Sequence, residues 1–495
     1  MQKKLHRFEQ IDPSARTIRD LAPTLIAIIV GIFMVILDTT AVNVAVPKLA
    51  EDFNASLSVV QWTLTGYTLA QAAVIPLAGW MSDRFGARRI FIICIILFTL
   101  GSLLCAFATS ATQLILFRVL QGLAGGMVMP LAMTMIFRLS PREKVGSIMG
   151  IMGMPILLAP ATGPIISGYL VDFVSWHWIF LINLPVGILA VFLALRFIPK
   201  FQPYESTDFD ILGVILGPLA FALICYGISE GSSNWTSTET LFGLIGGGVA
   251  LISFIIVELL RRKQPLLELR VFKSFSFSRG ILVQWLMQFV MFGVIFLIPF
   301  YMQTEMGKSA FEAGLWTLPQ AFTAALFMPL GGKLYDKIGV RPLVVVGLTL
   351  VAIGSFMLSD VTSTDPASAF LVPRILFGAG MGMAFLSMNT FLLQSAPAQL
   401  VSRVTSLTNS MQQVVTSLSV ALITTILFNV AEPIIDINQS TKQVLVHPAP
   451  AAFHDTYLIL MWIAIAGIVI GFTLSKVRMG QSNNHSDKPA ELAEM

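Results

Sequence analysis

Long apolar stretches separated by short polar ones run the length of this chain. A bilayer-crossing helix needs about 20 mostly apolar residues, and fourteen stretches meet that measure. The first six fall near 22–46, 57–81, 89–108, 112–137, 146–171 and 178–198. Two more lie near 210–229 and 240–260, and the last six near 280–302, 313–334, 342–359, 367–393, 403–430 and 456–476. The pattern predicts an all-α polytopic membrane protein with 14 transmembrane helices. The segment 431–455 between the last two spans reads as an unstructured connector rather than a cap.

Composition agrees. Hydrophobic residues make up 56% and charged residues 12% of the 495 residues, with mean hydropathy +0.81. That charged share is roughly half of what a soluble domain carries, so most of the surface faces lipid. The net charge of +4 is therefore no nucleic-acid footprint, and what counts is where the basic residues fall. If the N-terminus is cytoplasmic, all but five of the 31 Lys and Arg residues sit in cytoplasmic tails and loops. The exceptions are Lys48, Lys308 and Lys442 outside, and Arg118 and Arg374 within spans. This bias orients the chain with both termini in the cytoplasm. The first apolar stretch is too long for a signal-peptide core and reads as a retained span. Cys94, Cys105 and Cys225 lie in apolar runs and predict no disulfide framework.

An internal repeat divides the chain. Gly79-Trp-Met-Ser-Asp83-Arg84-Phe-Gly86 follows span 2, and Gly332-Lys-Leu-Tyr-Asp336-Lys337-Ile-Gly339 ends span 10. Arg118 in span 4 and Arg374 in span 12 recur at nearly the same offset. Two six-helix pseudo-repeat bundles plus two inserted helices follow. The expected divisions are a cytoplasmic tail at 1–21, a first bundle at 22–198, a linker with spans 7 and 8 at 199–279, a second bundle at 280–478 and a disordered tail at 479–495. Parallel repeats of this kind place a binding cavity at their interface.

These motifs resemble the major facilitator superfamily. The turn at Gly79–Gly86 resembles its signature loop between helices 2 and 3. Leu37-Asp38-Thr39-Thr40-Ala-Val-Asn43-Val-Ala-Val-Pro47 and Trp176-His177-Trp178-Ile-Phe-Leu-Ile-Asn183-Leu-Pro185 are similar to motifs of its fourteen-span drug:proton antiporters, of the quaternary-ammonium and multidrug efflux type. His177 stands where that group usually has Arg. Pro160, Gly163, Pro164 and Gly168 resemble its helix 5 antiporter motif. The resemblance implies that Asp83 faces the start of span 13. There a carboxylate at a helix N-terminus is favoured by about 0.3–1 kcal/mol. Gly79, Asp83, Arg84, Gly86 and Asp336 would then form an inner gate, although the basic residues of this turn are equally expected as plain inside-positive anchors.

Asp38 is the one acid deep within a span of the first half. Asp38 lies about 24 Å along span 1, and Arg118 about 9 Å below the outer edge of a core about 30 Å thick. Both charges fall at similar depth. Such residues pair and mark ion or proton paths. Asp38 is then either a proton carrier whose affinity Arg118 adjusts, or half of a static pair fixing two helices. The resemblance favours the carrier. Arg374 has no acid at the matching place, Met291–Val294. It can face a carbonyl, Tyr301 or an anionic substrate group, or simply snorkel, and a structural role is the expected one. Asn43, Tyr67, Gln71, Gln121, Gln288, Tyr301, Asn409 and Gln412 are the candidate substrate-cavity lining.

No zinc, nucleophile-elbow or phosphate-loop motif occurs in the spans, so an enzyme and direct use of ATP are not expected. The expected function is a proton-coupled antiporter in the plasma membrane of a bacterium, exporting hydrophobic and cationic drugs by alternating access. Export of one endogenous lipid, siderophore or antibiotic is the alternative. No cofactor or metal is expected, the proton gradient supplying the energy. Expected partners are small hydrophobic substrates, protons and the lipid bilayer, with no nucleic acid and a monomeric state.

Overall fold

The structure, a computed structural model, describes residues 18–55, 57–141, 144–201, 211–231, 234–260, 266–308, 310–362, 364–396, 400–429, 434–437, 444–447 and 450–474. The first half contains α1 (Ile18–Asp52), α2 (Leu57–Val74), α3 (Leu77–Phe85), α4 (Ala87–Ala106), α5 (Ala111–Leu139), α6 (Val145–Phe173), α7 (His177–Leu181) and α8 (Asn183–Phe197). Two inserted helices follow, α9 (Ile211–Gly231) and α10 (Thr238–Leu260). The second half contains α11 (Phe275–Thr304), α12 (Ala310–Leu315), α13 (Leu318–Ile338), α14 (Val340–Ser359), α15 (Leu371–Gln394), α16 (Val401–Asn429) and α17 (Pro450–Gly471).

Helices occupy all fourteen predicted segments, and three segments are broken in two: α2/α3, α7/α8 and α12/α13. Pro76 caps α3, where it ends one helix and starts the next. Among the described residues, eleven helical stretches are long and apolar enough to cross a membrane. The predicted spans at α2/α3, α6 and α12/α13 are not among them. Prolines inside α5, α9, α11 and α13 are tolerated because neighbouring helices satisfy the freed backbone.

The two repeated turns keep their shape. Gly86 has φ of 86° and Gly339 has φ of 79°, a region where a side chain is strained. The start of α1, the α3/α4 turn and the end of α8 meet at one end of the bundle. Thr24 Oγ1 donates to the Phe197 carbonyl and Arg88 Nη2 to that of Leu195. This is the end that carries the basic clusters.

Within the first half α1 packs on α6 and α8, α2 on α5, and α4 on α5 and α8. Within the second, α13 and α14 pack on α15, and α11 on α16 and α17. The halves meet along two seams, α6 against α13 and α3 with α5 against α16. Glycine brings the backbones together there. A Cβ on Gly79 would stand 2.6 Å from the Ser402 carbonyl oxygen, and one on Gly332 would stand 2.2 Å from that of Gly146. The inserted pair α9/α10 lies beside one seam only, α9 packing on α2, α3 and α16.

One expectation is corrected. Between α16 and α17 the chain forms an antiparallel hairpin, β1 (Ile434–Ile437) with β2 (Val444–His447), Ile434 opposite His447 and Ile437 opposite Val444. α17 also starts at Pro450, before the predicted span. The β-branched residues of Ile-Ile-Asp-Ile and Val-Leu-Val-His favour strands, a signal that the surrounding prolines obscure.

Candidate functional site

Five helical segments of the first half converge on Asp38. α1 supplies Asp38. α5 supplies Arg118 and, one turn on, Gln121 on the same face. α2 supplies the Thr63 carbonyl and the Tyr67 ring, α4 supplies Ser102, and the break between α7 and α8 sets Asn183. Arg118 Nη1 lies 2.6 Å from Asp38 Oδ2, and neither side chain reaches solvent. Gln121 Nε2 donates to Asp38 Oδ1 at 3.1 Å, and Asn183 Nδ2 donates to the same oxygen at 2.7 Å. Arg118 also donates from Nη1 to Gln121 Oε1 (2.8 Å) and from Nε to the Thr63 carbonyl (3.3 Å). Its guanidinium carbon stands 3.9 Å from the Tyr67 ring centre, a cation–π contact strengthened by desolvation. Asn183 Nδ2 lies 2.9 Å from Ser102 Oγ.

All three side chains bonded to Asp38, those of Arg118, Gln121 and Asn183, donate to it. An ionised carboxylate accepts only, whereas a protonated one must also donate. The cluster therefore fits the carboxylate form, its charge offset by Arg118 as a buried ion requires. A void of about 10 Å³ adjoins Asp38, walled by Leu37, Ala41, Ile166, Ser167, Leu170, Ile179, Ile182 and Asn183. That volume is close to what one water needs.

At the basic end two aspartates cross between the halves. Asp83 Oδ1 accepts from Ser402 Oγ (2.6 Å) and Arg138 Nη2 (3.0 Å), and Oδ2 accepts from Arg403 Nε (3.3 Å). Asp336 accepts from the backbone amides of Gly146 and Ser147, both at 2.9 Å, and from the Ser147 hydroxyl. Asp336 thus holds the amide contact with a helix N-terminus, at α6, while Asp83 meets side chains. Burial pushes the Asp336 carboxyl above its ordinary value, and the bonds from Ser147 and Gly146 pull it back. Arg84 stacks near Trp80 and Phe85, 5.8 Å from each ring centre.

The remaining sequence candidates scatter. Gly163 packs so closely on α1 that a Cβ would meet Thr40 Oγ1 at 2.1 Å, whereas Gly168 faces open space. Pro160 and Pro164 are on α6, their side chains outside the described residues. Of the eight expected cavity residues, Tyr67 and Gln121 belong to the Asp38 cluster. Gln288 donates to Thr416 Oγ1 (2.9 Å), Gln412 to Asn389 Oδ1 (3.1 Å), and Asn409 to the Thr405 carbonyl of its own helix (2.8 Å). Tyr301 is buried and donates to the Val361 carbonyl (3.2 Å). Asn43 is exposed on α1, and Gln71 is half-buried against Gly126.

A cavity of about 700 Å³ opens elsewhere, between α6 and the α12/α13 break. Leu158, Thr162, Leu315, Trp316, Leu318, Pro319, Ala321 and Phe322 wall it. None of the eight does. Sequence reasoning gave no role to Asn183, although a lone amide in an apolar span is a visible signal. It treated Arg138 as topological only, and missed Ser147 and Ser402, whose partners are set by helix packing.

A fold of paired helical halves meeting through glycine-rich seams, with a buried ion pair in one half, defines a membrane transporter. Residues 28–420 match the Major Facilitator Superfamily, and the chain belongs to that family. It is 34% identical over 422 residues to a protein named multidrug resistance protein B homolog of Mycobacterium tuberculosis, covering 84% of this chain and 77% of that one. It is 29% identical over 462 residues to the lincomycin resistance protein LmrB of Bacillus subtilis, covering 92% and 96%. The human organic anion transporter MFSD10 shares the fold, with a TM-score of 0.66 and 13% identity over 91% of this chain and 99% of that one.

Proposed function

We propose that this protein exports hydrophobic drugs and toxic compounds across a bacterial plasma membrane in exchange for protons. Relatives named for multidrug and lincomycin resistance support drug efflux. Superfamily members use no cofactor and are energised by ion gradients. The observation that carries proton exchange is the all-donor shell around Asp38. Protonation of Asp38 turns one of its oxygens into a donor that faces only donors, Arg118 at Oδ2 or Gln121 and Asn183 at Oδ1, and removes the counter-charge of Arg118. Proton uptake is thereby tied to rearrangement of α1, α5 and α8. The void beside Ser167 and Asn183 supplies a route by way of one water.

The basic clusters assign the latched end to the cytoplasm, and α6 and α13 part only in their outer halves. This conformer is outward-facing and ready to take up a proton. Asp38 is bound to Arg118, so this cluster offers no free carboxylate to a cationic drug, and the expectation of cationic cargo rests on the resemblance. The protein works as a monomer in this reading.

Asp38→Asn is expected to reach the membrane in normal amount and abolish protonophore-sensitive dye efflux from a pump-deficient host. Native efflux by Asp38→Asn under a pH gradient would sink the carrier role. Reporters fused after Glu51 or Ser232 are expected outside, and those after Arg89 or Lys273 inside. The reverse at any two sites overturns the orientation.

A further inference from the structure

Arg374 in α15 is 0% exposed, and no carboxylate among the described residues pairs with it. Its Nη1 donates to the carbonyl oxygen of Trp316. Its Nη2 has only Met302 Sδ, at 3.9 Å, and its Nε has no hydrogen-bond partner. A thioether sulfur is a weak acceptor, whereas a guanidinium carries five N–H donors. Tyr457, 1% exposed beside Arg374, also has a hydroxyl without a partner. Arg374 Nε and the Tyr457 hydroxyl are thus buried donors that lack an acceptor. A static packing role leaves this unexplained, since buried donors are nearly always satisfied.

The one strong acceptor, the Trp316 carbonyl, belongs to the break between α12 and α13, and Trp316 itself walls the 700 Å³ cavity. That volume suits a drug-sized ligand. Its other walls are apolar except for Thr162. Phe322, on the same wall, begins a stripe with Leu326 and Leu330 that is 70%, 65% and 45% exposed, so the cavity opens on the exposed apolar face of α13.

We propose that this cavity and Arg374 form a binding site for an amphipathic anion. The apolar body fills the slot between α6 and α13, and a carboxylate, sulfonate or phosphate oxygen takes the place of the Trp316 carbonyl on Arg374. The planar fork suits such groups. The site names a cargo class for the efflux reading and rests on it for transport; binding is tested without a gradient, so either can fail alone.

The test uses purified protein in phosphatidylcholine nanodiscs and two bromine-labelled probes, 11-bromoundecanoate and 11-bromoundecyltrimethylammonium. The readout is the share of tryptophan quenching that Trp316→Phe removes. The carboxylate is expected to quench Trp316 and the ammonium probe to leave it bright. Arg374→Gln is expected to weaken the carboxylate by about tenfold or more, the loss of a charge-assisted bond, and Arg374→Lys by less. A parallel arm replaces the free probe with dibrominated phosphatidylglycerol or phosphatidylcholine. Arg374-dependent quenching by the former alone assigns the site to a lipid headgroup, and by bromoundecanoate alone to a free amphiphile. Equal quenching by both charged probes in the native protein overturns the proposal, even if Arg374→Gln fails to fold. So does carboxylate binding that Arg374→Gln leaves unchanged.

Discussion

Arg118 and Arg374 sit at repeat-related positions, α5 in one half and α15 in the other, and both are wholly buried. Arg118 has a carboxylate at 2.6 Å, an amide oxygen, a backbone carbonyl and an aromatic face. Arg374 has one carbonyl and a sulfur. Duplication supplied the same cation twice, and only the first half surrounds it with partners. Burial alone therefore does not tell what a membrane arginine does; its set of acceptors does. Arg118 too leaves one donor, Nη2, without a hydrogen-bond partner, so what separates the two sites is the counter-charge: Arg118 has Asp38, and no carboxylate among the described residues pairs with Arg374.

That contrast is open to direct challenge. Arg118→Gln strands the Asp38 carboxylate, and breaking a buried pair from one side costs about 3–5 kcal/mol. A large fall in melting temperature of the detergent-purified protein is expected, and Asp38→Asn in the same chain should recover part of it. Arg374→Met removes a cation with no counter-charge and keeps most of the volume. Burying a charge without a counter-charge is costly, so its melting temperature should hold or rise. A fall matching that of Arg118→Gln would erase the distinction between the two sites.

A smaller effect separates the latches. Either Asn keeps one carbonyl oxygen, but Asp83→Asn removes the charge that two cations, Arg138 and Arg403, bind, whereas the donors to Asp336 are neutral amides and a hydroxyl. A bond to a charged group contributes about 1.5–3 kcal/mol, and each 1.4 kcal/mol is about tenfold in population. Spin labels on the cytoplasmic ends of α3 and α16 should show Asp83→Asn shifted towards an inward-open distance by at least that factor. Asp336→Asn should shift it less. Equal shifts would mean that the two latches share one energetic role.

Much of this was readable from hydropathy and repeat spacing. Helix positions follow from apolar run length, and the depth reckoning that set Asp38 level with Arg118 has its counterpart in their 2.6 Å contact. Asn183 was visible as a residue but not as a ligand, because its reach depends on the α7/α8 break. Local sequence could not tell which latch aspartate meets backbone amides. The Gly79 and Gly332 turns look alike, and the difference lies in how the start of α16 or of α6 is presented. The polar residues expected around the cavity went mostly to bonds within and between helices. The cavity beside the α12/α13 break has a mostly apolar wall, a product of how far α6 and α13 part there, which no periodicity encodes.

The placement of α9 and α10 has a mechanical consequence. α9 touches α2 and α3 on one side of a seam and α16 on the other. Trp235, just past α9, adds a 2.6 Å bond from its Nε1 to Thr425 Oγ1 of α16, and Trp62 of α2 stands 6.2 Å from Tyr226 of α9. Any motion that separates α3 from α16 must shear α9 against one of them. Among the described residues the α6/α13 seam has no such strap. The molecule is bound along one edge like a book along its spine, and a rocking of its halves would turn about that edge, set by the two additional helices.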